Sequence, residues 1–301
     1  MVEHVQSSQT LKRVNTVTDT KDTLDGTNFL AEEFWDLDAL AEKKKEEYAQ
    51  MFPFPSIVLD NLFSPSYLEK ILNEFPDLSA QKGVESFNNE KEKKLATKEG
   101  DSLQGPYTKL FLSYLNSFSF ISFLQKLTGI QEALLPDPYF EGGGLHEIKR
   151  GGMLAIHSDF NKHFKTKLDR RVNILVYLNK DWDESYGGHL ELWDTEMKEC
   201  GKKVLPIFNR MVVFTSTDFS FHGHPDPLTC PEERSRRSLA LYYYSNGRPT
   251  EEVSGAVRST FFRERPDQDQ FLTTKDRLKN ITLDWSPPIL LRGIRNFRKK
   301  R

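Results

Sequence analysis

The 301 residues carry 42 Lys and Arg against 44 Asp and Glu, a formal net charge of -2, which argues against nucleic acid as the main partner. Twenty-two Phe, ten Tyr and four Trp can fill a sizeable core, which excludes a chain disordered throughout. Cys200 and Cys230 are too few for a disulfide framework, no apolar run reaches the length of a membrane span, and Met1 to Asn28 lacks the apolar centre of a signal peptide, so the expected setting is the reducing cytoplasm.

In chain order, residues 1–28 are polar and without periodicity and read as a tail. Phe29 to Gln50 predicts a surface helix whose run Glu42 to Glu47 is a solvated face. After Pro53 and Pro55, Ile57 to Asp60 reads as a short strand. Ser64-Pro65 then opens a helix with Leu68, Ile71, Leu72 and Phe75 on one side, and Pro76 ends it. The charged stretch Asn88 to Asp101 reads as a loop. Pro106 to Thr128 predicts two helices, the second capped by Ser117 or Ser119 and closed by Gly129, which buttress a sheet.

From Tyr139 the pattern changes to short β-rich runs separated by turn residues: Tyr139-Phe140, Leu145–Ile148, Met153–His157, Val172–Leu178, His189–Trp193, Met211–Thr215 and Arg237–Ser245. Such spacing without intervening helices predicts a mainly β fold with flanking helices, a double-stranded β-helix or jelly-roll with an open mouth. The expected organisation is a tail and surface helix over 1–50, a domain over 51–250 with its jelly-roll core at about 138–246, and an extension over 251–301 that ends in a basic amphipathic helix, Ile289 to Arg301.

The chemistry gathers at Met153 to Phe160. His157 and Asp159, two residues apart on a strand, point to the same side of the pleat and offer an imidazole and a carboxylate to one point. A second His from another strand would complete a two-His-one-carboxylate face, the set that suits non-haem Fe(II) oxygenases. The source is Phe221-His222-Gly223-His224, where His222 and His224 have the same parity and alternation cannot choose between them. Arg236-Arg237 opens the last buried strand, and a buried Arg is costly unless it meets an anion such as the distal carboxylate of a dicarboxylic co-substrate. Arg171, Asn173 and Tyr177 share one face of their strand, which turns Asn173 and Tyr177 inward. A buried Tyr hydroxyl needs a partner there, and a carboxylate oxygen would serve.

The ordered set is specific: His157-x-Asp159, Arg171-x-Asn173 running into Tyr177-Leu178-Asn179, Gly187-Gly188-x-Leu190-Glu191-Leu192-Trp193, Pro206, Asn209-Arg210-x-Val212-Val213-Phe214, His222-Gly223, and Arg237 at the final strand. Over about 138–246 the chain resembles the Fe(II)/2-oxoglutarate-dependent dioxygenases of the prolyl 4-hydroxylase-like branch. The resemblance implies His157, Asp159 and His222 as iron ligands, His222 being chosen over His224 by its place after the Phe214 strand and before Gly. It also implies Arg237 and Tyr177 on the C5 carboxylate of 2-oxoglutarate, with Asn173 beside them. Cofactor and co-substrates would be Fe(II), 2-oxoglutarate and O2, with ascorbate as accessory reductant. The implied reaction is hydroxylation of an unactivated C–H in a prolyl residue or an amino-acid-like molecule, releasing succinate and CO2. Two other readings are hydroxylation of a free small metabolite and a catalytically silent jelly-roll that binds a partner.

Overall fold

The computed structural model describes residues 28–253, 259–266 and 271–274. The tail before residue 28 and the basic helix expected over 289–301 lie outside the described residues.

Four α-helices form one layer among the described residues. Helix α1 (Leu37–Ala49) starts where the Asp36 carboxylate accepts the Ala39 N–H at 2.9 Å. Its Leu37, Leu40, Ala41 and Tyr48 are buried, while the charged run faces outward and pairs internally through Lys44–Glu47 and Lys45–Glu42. Strand β1 (Ser56–Asp60) leads to α2 (Pro65–Glu74), with Pro in the first turn as its sequence predicts. Helices α3 (Pro106–Leu115) and α4 (Phe118–Thr128) follow. The Ser117 hydroxyl caps α4 by accepting the Phe120 N–H, and Gly129 ends it in the left-handed region at φ +69°. Phe111 meets Phe63 edge-on at 4.8 Å within an aromatic core that also takes Phe120, Phe123 and Tyr67.

That core is shared with a single twelve-stranded antiparallel sheet. Its further strands are β2 (Val84–Asn88), β3 (Glu92–Thr97), β4 (Gly144–Lys149), β5 (Met153–Ser158), β6 (Asp169–Tyr177), β7 (Leu190–Trp193), β8 (Cys200–Val204), β9 (Arg210–Thr215), β10 (Phe221–His224), β11 (Ser235–Ser245) and β12 (Phe261–Phe262). The order is β1-β9-β6-β11-β4-β3-β5-β10-β7-β8, with β2 beside β3 and β12 beside β5. The half running from β1 to β4 turns Val172, Ile174, Val176, Leu239, Leu241 and Tyr243 onto the helices. Its other face, with β5, β10 and β7, encloses a cleft. This is the jelly-roll expected from the strand spacing.

Several elements depart from the sequence reading. Asn88 to Asp101 is not a loop: residues 84–97 form the β2–β3 hairpin, and β3 bridges the two halves by pairing with both β4 and β5. Its alternating charges hid it, because ladder bonds to two neighbours outweigh local propensity. Tyr139-Phe140 is a turn, with Phe140 at φ +53°. The segment after Gly247 returns as β12, whose Phe261 and Phe262 sit opposite Ser158 and His157.

Candidate active site

Three side chains converge at one end of the cleft. His157 from β5, Asp159 just beyond it, and His222 from β10 place their ligand atoms within 4.8 Å of one another. The register opposes His222 to His157, which sets the two rings 4.5 Å apart. Gly223 permits this closeness. A Cβ there would lie 2.7 Å from the Leu154 carbonyl oxygen and 2.8 Å from that of Ala155, so only glycine lets β10 lie so near β5.

The hydrogen bonds orient both rings. Nδ1 of His157 lies 2.9 Å from the Ala155 carbonyl oxygen, and Nδ1 of His222 lies 2.9 Å from that of Ser220. Each Nδ1–H therefore donates to the backbone, and each Nε2 presents its lone pair to the common point, the tautomer a metal needs. Burial pushes the His222 imidazole down to about 4, with Asp159 opposing that shift. Burial alone would raise the Asp159 carboxyl, but Arg170, then His222 and His157, hold it well below the usual carboxylate range. Two neutral imidazoles and one carboxylate fit a divalent iron, and the remaining face of the site opens to the cleft.

Asp159 is fixed from behind. Its Oδ2 accepts the Asn173 amide N–H at 2.7 Å and lies 3.0 Å from Nη2 of Arg170, while the Asn173 carbonyl accepts Arg170 Nε–H at 2.8 Å. Arg170 is 1% exposed, its guanidinium held between the rings of Tyr242 (3.3 Å) and Phe160 (4.5 Å). Asn173 thus faces the cleft as its parity predicts, but its amide serves Asp159 rather than a co-substrate. Arg171 does not share that face. Tyr243 opposes Val172 and Tyr244 opposes Arg170, so a bulge at Arg171 turns it away to Glu132 and Glu252 and brings Arg170 inward. Simple alternation had no means of finding Arg170; the doubled Arg170-Arg171 was the one signal.

The expectation for Arg237 is corrected. Arg236, Ser238 and Tyr242 line the cleft, whereas Arg237 points to the opposite face, 29% exposed, over the Phe75 ring and 3.4 Å from Glu147. Arg236 is 4% exposed. It donates Nε–H to the Gly188 carbonyl at 2.9 Å and Nη2–H to the Tyr177 hydroxyl at 3.1 Å. Gly188, at φ +76°, brings its backbone against the Arg236 side chain. No carboxylate pairs with Arg236 among the described residues, so the cleft holds an uncompensated guanidinium whose charge burial disfavours. A dicarboxylic 2-oxo acid, one end at the triad and the other at Arg236, fits that donor set. Tyr177 was expected to reach the C5 carboxylate; it is fully buried behind Arg236, outside the cleft lining, with its hydroxyl taken by Arg236. The inward arginine is the one that shares the parity of Ser238 and Tyr242 on β11.

The remaining wall carries Lys94, His146 and His224, with Leu175, Leu190 and Phe214 as apolar lining. Lys94 was missed because its strand was read as a loop. His224 lines the cleft beside His222, and burial, then Arg236, Lys94 and His157, push its imidazole well below the ordinary value.

Comparison with known proteins agrees with this geometry. Residues 143–244 match the 2OG-Fe(II) oxygenase superfamily. A curated relative, the prolyl 3-hydroxylase OGFOD1 of Mus musculus, is 35% identical over 79 residues; the match covers 25% of this chain and 14% of that protein. Among solved structures, a prolyl hydroxylase from Trichoplax adhaerens, in complex with a hypoxia inducible factor oxygen degradation domain peptide fragment, superposes with a TM-score of 0.52 at 18% identity. That alignment covers 71% of this chain and 92% of that one. Residues 143–244 thus match the 2OG-Fe(II) oxygenase superfamily, in a core whose fold is shared with a prolyl hydroxylase.

Proposed function

We propose that the chain is an Fe(II)- and 2-oxoglutarate-dependent dioxygenase that hydroxylates an unactivated C–H of a prolyl residue or an amino-acid-like substrate. One observation carries this reading: two imidazole Nε2 atoms and a carboxylate meet at the end of a cleft that also holds a buried, unpaired guanidinium. His157, Asp159 and His222 are the iron ligands in this reading. Arg236, backed by Tyr177, grips the C5 carboxylate of 2-oxoglutarate in place of Arg237. When bound, iron and 2-oxoglutarate supply the oxidising chemistry, in which decarboxylation to succinate and CO2 is coupled to hydroxylation.

The protein's part is geometric. Asn173 and Arg170 hold Asp159 so that one carboxylate oxygen stays available at the triad. Phe214 packs its ring 4.6 Å from His222 and, with Leu175 and Leu190, keeps water from that side. The prolyl substrate class is supported by the nature of the curated relative, a prolyl 3-hydroxylase. An intact triad disfavours a silent binding module. Ascorbate as reductant and a cytoplasmic setting belong to the same proposal; both cysteines are free, as suits a reducing compartment, and no helix among the described residues is long and apolar enough to cross a membrane.

The test is succinate release from 2-oxoglutarate with Fe(II), O2 and ascorbate over a panel of prolyl peptides and free amino acids. Succinate formed in step with a product 16 Da heavier than one substrate supports the reading. No succinate from any of them, with iron bound, counts against it.

A further inference from the structure

Among the polar side chains on the cleft wall that the site described above does not employ, His224 is the one left without a partner among the described residues. His224 is 3% exposed, and neither of its ring nitrogens has a hydrogen-bond partner among the described residues. The other buried histidines contrast with it. His157 and His222 each use Nδ1 on a backbone carbonyl, and His163 sits between Asp137 and Glu141. A buried imidazole without any partner is costly, so an occupant of the cleft is expected to satisfy it.

The strand explains its aim. On β10, His222 and His224 project to the same face, with Gly223 seated on the β5 backbone between them. His224 therefore lines the same cleft as the triad, alongside Arg236 and Lys94. Asp159 is the sole acidic side chain lining the cleft among the described residues, so the wall around His224 is complementary to an anion. A neutral imidazole offers one N–H donor, and a carboxylate offers only acceptors.

We infer that His224 faces the ligand and donates a hydrogen bond to the 2-oxo dicarboxylate held between the triad and Arg236. This rests on the oxygenase reading and adds a residue to it. His224 is a contact that selects the co-substrate, with Arg236 favouring a dicarboxylate over a 2-oxo monocarboxylate.

The test separates co-substrate binding from metal binding and from turnover. The full chain is loaded with Zn(II), which cannot turn over, and titrated calorimetrically with 2-oxoglutarate. Zn(II) affinity and melting temperature are measured separately. His224→Leu is expected to weaken 2-oxoglutarate binding about ten-fold or more, and His224→Gln, which keeps a donor, to recover part of the loss. Zn(II) affinity stays unchanged in both. Equal 2-oxoglutarate affinity in wild type and His224→Leu overturns this inference alone, since water would then satisfy the ring. A loss of Zn(II) affinity in His224→Leu as large as in Asp159→Ala also overturns it, because the ring would then be acting through the metal site. Failure of the Zn(II)-loaded wild type to bind 2-oxoglutarate overturns the oxygenase reading itself.

Discussion

Replacing Arg236 by Met is expected to cripple co-substrate binding while leaving the metal site intact. The guanidinium is 4% exposed, and its partners are neutral, the Gly188 carbonyl and the Tyr177 hydroxyl. A carboxylate arriving there meets this guanidinium directly, while Lys94 on the same wall is half-buried and already paired with Glu92 at 3.2 Å. Truncating one member of a buried, hydrogen-bonded charge pair costs about 2–5 kcal/mol. At about 1.4 kcal/mol per decade, that is a thirty-fold to several-thousand-fold rise in the dissociation constant of 2-oxoglutarate. Arg237→Met is the control. Arg237 faces away from the cleft, and Glu147, its partner, keeps the Ser235 hydroxyl and the Leu78 N–H, so any cost there falls on stability and 2-oxoglutarate binding hardly moves. Calorimetric titration of the Zn(II)-loaded variants measures both. Loss of binding in Arg237→Met with none in Arg236→Met would refute the assignment of the inward arginine.

Three further outcomes are expected. Asn173→Leu removes the amide on Asp159 Oδ2 and should lower metal affinity about 10–100-fold with the fold retained; unchanged affinity in an equilibrium metal titration would show that Arg170 alone orients Asp159. Gly223→Ala drives a methyl into the Leu154 and Ala155 carbonyls, costing about 1–3 kcal/mol in chemical denaturation and weakening metal binding by pushing His222 off the common point; an undisturbed variant contradicts the described strand contact. Metal-free protein should lose stability on acidification. His222 titrates near 4 when folded and near about 6.5 when unfolded, so its contribution is fully present above about 6.5 and is lost as pH falls through 4, a total of about 3 kcal/mol. Denaturation at a series of pH values checks the slope, and His222→Gln should flatten it; an equal slope in that variant assigns the effect to other groups.

How much of this was readable in the sequence depended on where a period of two survives. His157 and Asp159 were legible because alternation holds between them past the end of β5, although the β5–β10 register shifts between His157 and Leu154, and the β9 run Met211 to Thr215 marked the strand before His222. Arg170 was not legible because the bulge at Arg171 reverses the face, and no local residue reports a bulge. On β11 both faces are apolar, Leu239 and Leu241 against the helices and Ala240 and Tyr242 against the cleft, so the pattern gave Arg236 and Arg237 no distinguishing phase. Lys94 and the hairpin that carries it were hidden for another reason. Glu92, Lys93 and Lys94 belong to a strand only because β4 and β5 both pair with it, a long-range fact absent from local composition. Likewise β12 earns its place opposite His157 from an edge of β5 left open by β3.

The most direct measurement is a crystal structure of the full chain grown anaerobically with Fe(II) and 2-oxoglutarate, the iron located by anomalous scattering. One iron is expected at about 2.0–2.2 Å from His157 Nε2, His222 Nε2 and an oxygen of Asp159, with the distal carboxylate of 2-oxoglutarate on Arg236. Iron bound elsewhere, or a triad that stays empty at saturating Fe(II), would contradict the assignment.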